Sequence, residues 1–300
     1  MTLDYLEYHV VDHCNLNCKG CSHFCPLVTS DEYADFTMFK KDMKRLSEIY
    51  SNILTINILG GEPLLNPDLT DFLNYSRFIF PKSKIFLTTN GILLDKQNNY
   101  FWNTCKNNNI AINLSYYPVK INIEKISSQC KAYGLNLNIS MFKKKFVKLI
   151  NIKGDSDPDK SFKNCKRMVD CPILKNGHIY SCAYSYLYKY FNNYFDEKII
   201  TEDAFNGIDI YSNSATEIAQ FLNNPVSICK YCITKKPTFK WGFSDRNINE
   251  WIGEDVNSFR HYCLLYKYII YNLLKKLWIF RSKIYRSFRE ILIRIKIRDT

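Results

Sequence analysis

Residues 53–63 read ILTINILGGEP, and this stretch decides the predicted fold. The β-branched and aliphatic run over 53–59 predicts a buried strand, which the glycine pair Gly60-Gly61 ends. Apolar residues at helical spacing follow over 68–80 and stop at Pro81, so a helix is predicted there. A strand, a glycine turn and a helix in this order are the beginning of a βαβ unit.

The same alternation of strands and helices extends outward from this stretch. On the N-terminal side we predict a strand over 5–11 and a helix over 36–50. On the C-terminal side the predicted elements are strands over 84–89, 110–115 and 135–141 and helices over 95–108 and 120–133. Such alternation indicates right-handed βαβ units and a parallel sheet. Because a closed eight-fold barrel needs roughly 250 residues, we predict an α/β fold that is an open, partial parallel β/α barrel or a doubly wound sheet. Working groups should lie at the carboxyl ends of its strands.

Cysteine content and charge narrow the function classes. The chain has 300 residues, 12 cysteines and a formal net charge of +12. No basic and apolar signal peptide and no stretch of 18 apolar residues is evident, so we expect a cytoplasmic protein whose clustered cysteines bind metal instead of forming disulfides. Residues 260–300 hold eleven Lys/Arg and two Asp/Glu, so the charge is concentrated there and nucleic-acid binding is not expected.

The first cysteine group follows the first predicted strand. Cys14, Cys18 and Cys21 lie within eight residues, and three thiolates can hold a cubane iron–sulfur cluster with one iron left open to a small molecule. Cys25-Pro26 offers an alternative, because a fourth ligand would close the cluster and leave a ferredoxin-like electron carrier.

The Cys-x3-Cys-x2-Cys spacing resembles the signature of the radical S-adenosylmethionine superfamily. Gly60-Gly61-Glu62-Pro63 is similar to the family's GGEP motif, and Asn90-Gly91 is similar to its TNG turn, while Ser115 ends the fourth predicted strand. The resemblance implies a 4Fe–4S cluster on Cys14, Cys18 and Cys21. It also implies S-adenosylmethionine bound through Gly60, Gly61, Glu62, Asn90 and Ser115, with Glu62 on the methionine ammonium. Gly20 replaces the aromatic residue usual in the family, and His23 or Phe24 is expected to compensate.

A second cysteine group lies after residue 150. Its members are Cys165, Cys182, Cys229 and Cys232, with Cys171 as an alternative to Cys165, and a turn at Asn176-Gly177 should close a hairpin beside them. Four thiolates suit structural zinc as well as iron. The spacing is similar to the Twitch form of the SPASM extension, which implies a second 4Fe–4S cluster. Cys105 and Cys130 fall in predicted helices and are expected in the core.

The last segment predicts a basic amphipathic helix. Apolar residues recur at helical steps from Leu265 to Ile295, flanked by lysines and arginines. This pattern suits an anionic membrane surface or a helix packed on the barrel, and periodicity does not separate the two. The predicted domains are a barrel over 1–150, an auxiliary-cluster domain over 151–252 and a basic helix over 253–300.

The resemblance implies an oxidoreductase in which a 5′-deoxyadenosyl radical abstracts hydrogen from a substrate. The stretch from His13 to Phe24 is similar to radical enzymes associated with bacterial surface polysaccharide synthesis, so the expected substrate is a sugar, polyol or lipid-linked glycan. Expected partners are a reductant such as flavodoxin or ferredoxin and, through 260–300, the inner membrane surface. Maturation of a ribosomal peptide, activation of a partner enzyme and simple electron transfer are the alternatives.

Overall fold

Five parallel strands form the first half of the sheet. They are β1 (Thr2–His9), β2 (Asn52–Leu59), β3 (Lys84–Thr89), β4 (Ile110–Leu114) and β5 (Leu137–Ile139). Each pairs in parallel with the strand before it in the sequence. The predicted parallel sheet is therefore confirmed, with strand ends that differ from the prediction by a few residues.

Four helices connect these strands. They are α1 (Phe36–Ile49), α2 (Leu69–Ile79), α3 (Asn99–Asn107) and α4 (Ile123–Tyr133). The single helix predicted over 95–108 is wrong in its first part. A 3-10 turn occupies Leu94–Lys96, and α3 begins only after Asn98, whose side chain accepts a hydrogen bond from the Phe101 amide and caps the helix. Gly134 ends α4 in the left-handed conformation, as a C-terminal cap requires.

The second half of the chain adds to the same sheet. Its elements are β6 (Lys145–Val147), α5 (Pro158–Lys163), β7 (Ile173–Lys175), β8 (His178–Tyr180), α6 (Ala183–Phe195), β9 (Ile208–Asp209), α7 (Ala215–Leu222) and β10 (Thr238–Lys240). The order of the eight-stranded sheet is β5-β4-β3-β2-β1-β7-β8-β9, so the sheet is open, with β5 and β9 at its edges. The helix α5 lies within 151–164, a stretch whose polar composition predicts a linker or excursion.

The β7–β8 hairpin closes at the predicted turn. Asn176 and Gly177 both have positive φ, at 47° and 77°, which is the conformation that Asn-Gly favours in a two-residue turn. β7 runs parallel to β1 and antiparallel to β8. The hairpin thus extends the barrel sheet beside the strand that leads into the first cysteine loop.

The two faces of the sheet differ in polarity. Alternate residues of β1, such as Leu6 and Tyr8, pack with the helices in the main hydrophobic core. The residues between them, including Glu7, face the opposite side, because successive side chains of a strand alternate. That side of the sheet is polar and lines the cavities described below.

The structure is a computed structural model, and it describes residues 1–165, 171–195, 207–233, 237–253 and 270. Met1–Gly253 form one compact unit and Glu254–Thr300 a second. The boundary predicted near residue 150 lies inside the first unit and stays a prediction. Except for Ile270, the helix predicted from Leu265 to Ile295 lies outside the described residues. No helix in the described part is long and apolar enough to span a bilayer.

Candidate active site

The first cysteine loop lies directly after β1 and opens onto a cavity of about 250 Å³. Cys14, Cys18 and Cys21 all line this cavity. The Leu16 amide donates to Cys14 Sγ at 3.3 Å, and Trp241 Nε1 donates to Cys18 Sγ at 3.3 Å. Hydrogen bonds to sulfur stabilise thiolates and tune iron–sulfur clusters, so the loop fits the cluster that its spacing implies.

Cys25 lies beside the same group of thiols. It is buried, lines the cavity, and is close enough to Cys14 and Cys21 to interact with both thiols. Its proximity keeps the four-ligand alternative open to experiment.

The GGEP loop lies against the cysteine loop because two glycines allow it. A Cβ at Gly61 would lie 2.0 Å from the His13 carbonyl oxygen, and one at Gly60 would lie 2.1 Å from that of Val11. The Gly61 amide donates to Val11 O at 2.8 Å, and the Glu62 amide donates to His13 O at 3.1 Å. The two loops are therefore joined along their backbones with no room for side chains between them.

Glu62 is fully buried and connects the β2 loop to the β3 loop. Its Oε1 accepts from Thr89 Oγ1 at 2.6 Å and from the Leu64 amide at 3.2 Å, and its Oε2 accepts from the Asn90 amide at 2.8 Å. Burial raises the pKa of this carboxyl to about 7, although all three hydrogen bonds lower it. Glu62 lies behind Thr89 and Asn90, which do line the cavity.

The remaining predicted cofactor residues lie around the same cavity. Asn90 Nδ2 donates to Asn15 Oδ1 at 2.8 Å and points toward Cys14 Sγ at 3.7 Å, so the TNG turn is tied to the cysteine loop. Ser115 lines the cavity, and its Oγ accepts from Lys143 Nζ at 3.4 Å. The structure thus brings together every predicted residue of the first site, with Glu62 one layer behind.

Polar residues on β1, β2 and β3, which sequence reasoning missed, also face this space. Tyr5 Oη donates to Glu7 Oε1 at 3.2 Å, Asn57 Nδ2 donates to Tyr5 Oη at 2.9 Å, and Thr88 Oγ1 donates to Asn57 Oδ1 at 2.7 Å. Burial raises the pKa of Glu7. The signal in the sequence was the alternation of polar residues inside strands that otherwise read as uniformly apolar.

A second cavity of about 210 Å³ lies beside the second cysteine group. Cys165, Cys171, Cys182 and Cys232 line it. Cys229 is buried, and Cys165 is close enough to raise the pKa of the Cys229 thiol further, after the larger effect of burial. In the part of the chain that the structure describes, no three His, Cys, Asp or Glu side chains converge on a point suited to a single metal ion.

Cys165 and Cys171 differ in their neighbours. Cys165 interacts with Cys182 as well as Cys229, whereas the Cys171 thiol hydrogen-bonds with the carboxyl of Glu7. This difference favours Cys165 as the member of the four-thiolate group.

The two cavities share one wall, formed by Glu7, Ser22 and His23. His23 Nδ1 lies 3.2 Å from the Gly60 carbonyl oxygen. Of the two residues expected to compensate for Gly20, only His23 lines the cavities; Phe24 is buried among the rings of α6. The space in front of Gly20 is filled by Phe239.

A two-stranded ribbon covers the cysteine loop from the C-terminal side. β6 and β10 pair antiparallel, and the chain after β10 joins the loop: the Lys19 amide donates to Gly242 O at 2.8 Å and the Ser244 amide to Asn17 O at 2.9 Å. The Trp251 indole donates to Cys21 O at 2.8 Å. These contacts join segments more than 220 residues apart, so no local sequence signal indicates them.

Comparisons with known proteins agree with this arrangement. Residues 7–127 match the family model of a 4Fe-4S single cluster domain. The chain is 33% identical over 95 residues to molybdenum cofactor biosynthesis protein 1 of Dictyostelium discoideum, and 31% identical over 113 residues to a GTP 3′,8-cyclase of Clostridium perfringens. These matches cover 31% and 37% of this chain and 15% and 34% of the relatives.

The matched segment is similar to proteins of the radical S-adenosylmethionine superfamily. These matches support the two predicted cofactors, a 4Fe–4S cluster and S-adenosylmethionine. The matched segment spans about a third or less of the length of the curated relatives. The match therefore does not assign their activities or their substrates to this chain.

Two solved structures resemble part of the fold of this protein. One is BtrN in complex with AdoMet and 2-DOIA, with 17% identity, 77% of this chain and 92% of that chain covered, and a TM-score of 0.48. The other is Streptococcus suis SuiB bound to S-adenosylmethionine, with 12% identity, 75% and 67% covered, and a TM-score of 0.39.

Proposed function

We propose that this chain is a radical S-adenosylmethionine oxidoreductase that abstracts a hydrogen atom from a small hydroxylated substrate such as a sugar, a polyol or a lipid-linked glycan. One observation carries the proposal: the three thiols, the GGEP loop, the TNG turn and Ser115 surround a single cavity at the carboxyl ends of the strands. The cavity is larger than a group held only by the three thiols requires. This extra space suits an enzyme better than an electron carrier.

When bound, a cluster and S-adenosylmethionine would supply one-electron cleavage of the sulfonium to methionine and a 5′-deoxyadenosyl radical. Cys14, Cys18 and Cys21 hold the cluster. The carbonyls of the glycine loop and the charge of Glu62 behind it bind the methionine ammonium, because a buried carboxylate attracts a cation strongly. Asn90 and Ser115 bind the remaining polar groups of the cofactor.

The shared wall of the two cavities offers a place for substrate. Glu7 and His23 can hydrogen-bond hydroxyl groups, and burial favours a carboxyl that can accept a proton there. Polar groups at the wall with an otherwise apolar lining suit a small substrate whose orientation is fixed by a few hydrogen bonds. Cys165, Cys182, Cys229 and Cys232 would hold a second cluster across this wall, where it could accept the electron left on an oxidised substrate.

The test is reductive cleavage of S-adenosylmethionine by anaerobically reconstituted protein with dithionite. We expect 5′-deoxyadenosine and methionine in equal amounts, and loss of both products when Cys14, Cys18 and Cys21 are replaced together with Ala. Cys105→Ala is the matched control, since Cys105 is a buried helical thiol outside the site. A cluster that dithionite reduces without cleavage of the cofactor would assign the chain to electron transfer instead.

A further inference from the structure

The surface beside the cysteine loop carries basic residues that the fold does not require. Lys145 on β6 and Lys240 on β10 are paired directly across the ribbon, and both side chains are exposed. Cβ atoms of such pairs lie about 5 Å apart, and like charges at this distance destabilise a sheet. The ribbon therefore carries a repulsion for which the described residues offer no folding benefit.

Further basic residues lie on the ribbon and on the chain segments that adjoin it. We define the basic patch as Lys19, Lys144, Lys145, Lys240 and Arg246, of which all but Lys19 are exposed. The ion pairs found within the described part of the chain involve none of Lys144, Lys145 and Lys240. The Lys144 ammonium lies 5.5 Å from the centroid of the Phe142 ring, which is itself exposed.

Aromatic rings connect the cluster ligand Cys18 to this surface. Trp241 Nε1 donates to Cys18 Sγ at 3.3 Å, and the Trp241 and Phe243 ring centroids are 5.3 Å apart. Phe243 is paired through its backbone with Cys18 and is 63% exposed. A chain of two rings therefore leads from the Cys18 thiol to an exposed phenylalanine at the surface.

We propose that the basic patch and Phe243 form the docking surface for an acidic, flavodoxin-type electron donor. This proposal rests on the proposed function, because cleavage of S-adenosylmethionine requires one electron from outside the chain. Charge complementarity decides the partner: a basic rim steers an acidic donor, and an apolar centre at Phe243 shortens the path to Cys18. Interfaces of electron-transfer proteins are small and weak, so a few charges around one exposed ring can serve as such an interface.

The donor semiquinone or hydroquinone would give up one electron, and the cluster would accept it without a bond being made or broken. Salt screens the charges that hold this interface together. The oxidised donor would therefore be released quickly.

The experiment measures binding of an oxidised, acidic bacterial flavodoxin to anaerobically reconstituted full-length protein at about 50 mM salt. The test variant is Lys145→Glu with Lys240→Glu, which keeps a like-charged cross-strand pair and so leaves the ribbon equally strained. The matched control is Lys82→Glu with Lys84→Glu, two exposed lysines at the amino-terminal end of β3. We expect the dissociation constant to rise at least about tenfold in the test variant and to stay within about twofold in the control.

A second measurement separates this proposal from the proposed function. Cluster bleaching is followed after mixing with reduced flavodoxin and, separately, with dithionite, which needs no docking surface. We expect the test variant to be slow with flavodoxin and normal with dithionite. Equal flavodoxin affinity in the two variants would overturn the docking proposal even if dithionite drives cleavage. The same variants are also tested for binding to vesicles of anionic lipid. If the wild-type protein binds the vesicles instead of flavodoxin and the test variant does not, the docking proposal is overturned and the patch is assigned to a membrane.

Discussion

Glu62 places a titratable charge directly behind the cofactor cavity. Its pKa is about 7 because the carboxyl is buried, so the carboxylate form is scarce at pH 6 and predominant at pH 8. In the proposed function, the charged form attracts the methionine ammonium. We therefore predict that the affinity for S-adenosylmethionine rises about tenfold from pH 6 to pH 8, as the ionised fraction does.

Glu62→Gln should remove this pH dependence and weaken binding at pH 8, measured by equilibrium titration at constant iron content. Glu124→Gln, an exposed position on α4, is the control and should follow the wild-type profile. A pH-independent affinity in the wild-type protein would show that Glu62 only joins the two loops.

Cys25 poses the sharpest question about an individual ligand. The thiol lies beside Cys14 and Cys21, yet the Cys-x3-Cys-x2-Cys signature is complete without it. We predict that Cys25→Ser keeps both the cluster and cleavage of S-adenosylmethionine, because an open iron is needed to bind the cofactor. Cys21→Ser should lose both. Loss of iron in Cys25→Ser alone would support the four-ligand electron carrier.

At the scale of elements, the β6–β10 ribbon acts as a cover on the cysteine loop. Gly20 has φ at +59°, and a Cβ there would lie 2.5 Å from the Phe239 ring and 2.7 Å from the Glu250 carbonyl oxygen. Gly134 has φ at +67° but nothing within 4 Å of the added atom. Replacing each glycine with alanine therefore separates two free-energy costs, that of the left-handed backbone conformation and that of displacing the ribbon.

We predict that Gly134→Ala lowers the free energy of unfolding by about 1 kcal/mol, the cost of a left-handed alanine. Gly20→Ala should cost more than this and should also reduce the iron bound to the first site, because the ribbon must shift away from the loop. Thermal unfolding and iron analysis of both variants test the prediction. Equal losses of stability with full iron content would show that the ribbon does not hold the loop.

The strands and helices before residue 150 were predictable because their signals are local. β-branched runs, glycine turns and capping residues act within a few positions, so β1 to β5 and α1 to α4 follow from the sequence. No signal in the sequence indicated that the segment from Trp241 to Trp251 returns to pack on the cysteine loop. Indole hydrogen bonds to Cys18 Sγ and Cys21 O depend on packing between distant segments.

At the scale of the whole molecule, the number of clusters is the next quantity to measure. Two cubanes require about eight irons per chain, and replacement of Cys182 and Cys229 with Ala should leave about four. Cys130→Ala, a buried thiol in α4, should keep all eight. About four irons with one tightly bound zinc in the wild-type protein would contradict the second cluster.

The unit Met1–Gly253 contains every described site residue. We predict that a truncation after Gly253 folds and keeps its iron but no longer sediments with anionic vesicles. Each basic residue near such a surface contributes about 1 kcal/mol at low salt, and this attraction is screened as salt rises. If the truncated protein aggregates or loses iron, and vesicles retain neither form, the segment is part of the core.

Local sequence signals were enough to predict the open parallel sheet, the loop that carries Cys14, Cys18 and Cys21, and the glycine loop at the end of β2. Each of these depends on residues close together in the chain, whose spacing and conformational preferences act locally. Three further relations depend on how distant segments pack: Glu62 lies behind the cavity, Glu7 and His23 form a wall between two cavities, and Trp241 covers Cys18. Those relations arise where strand ends and a returning ribbon meet, and burial and packing across the sheet fix them.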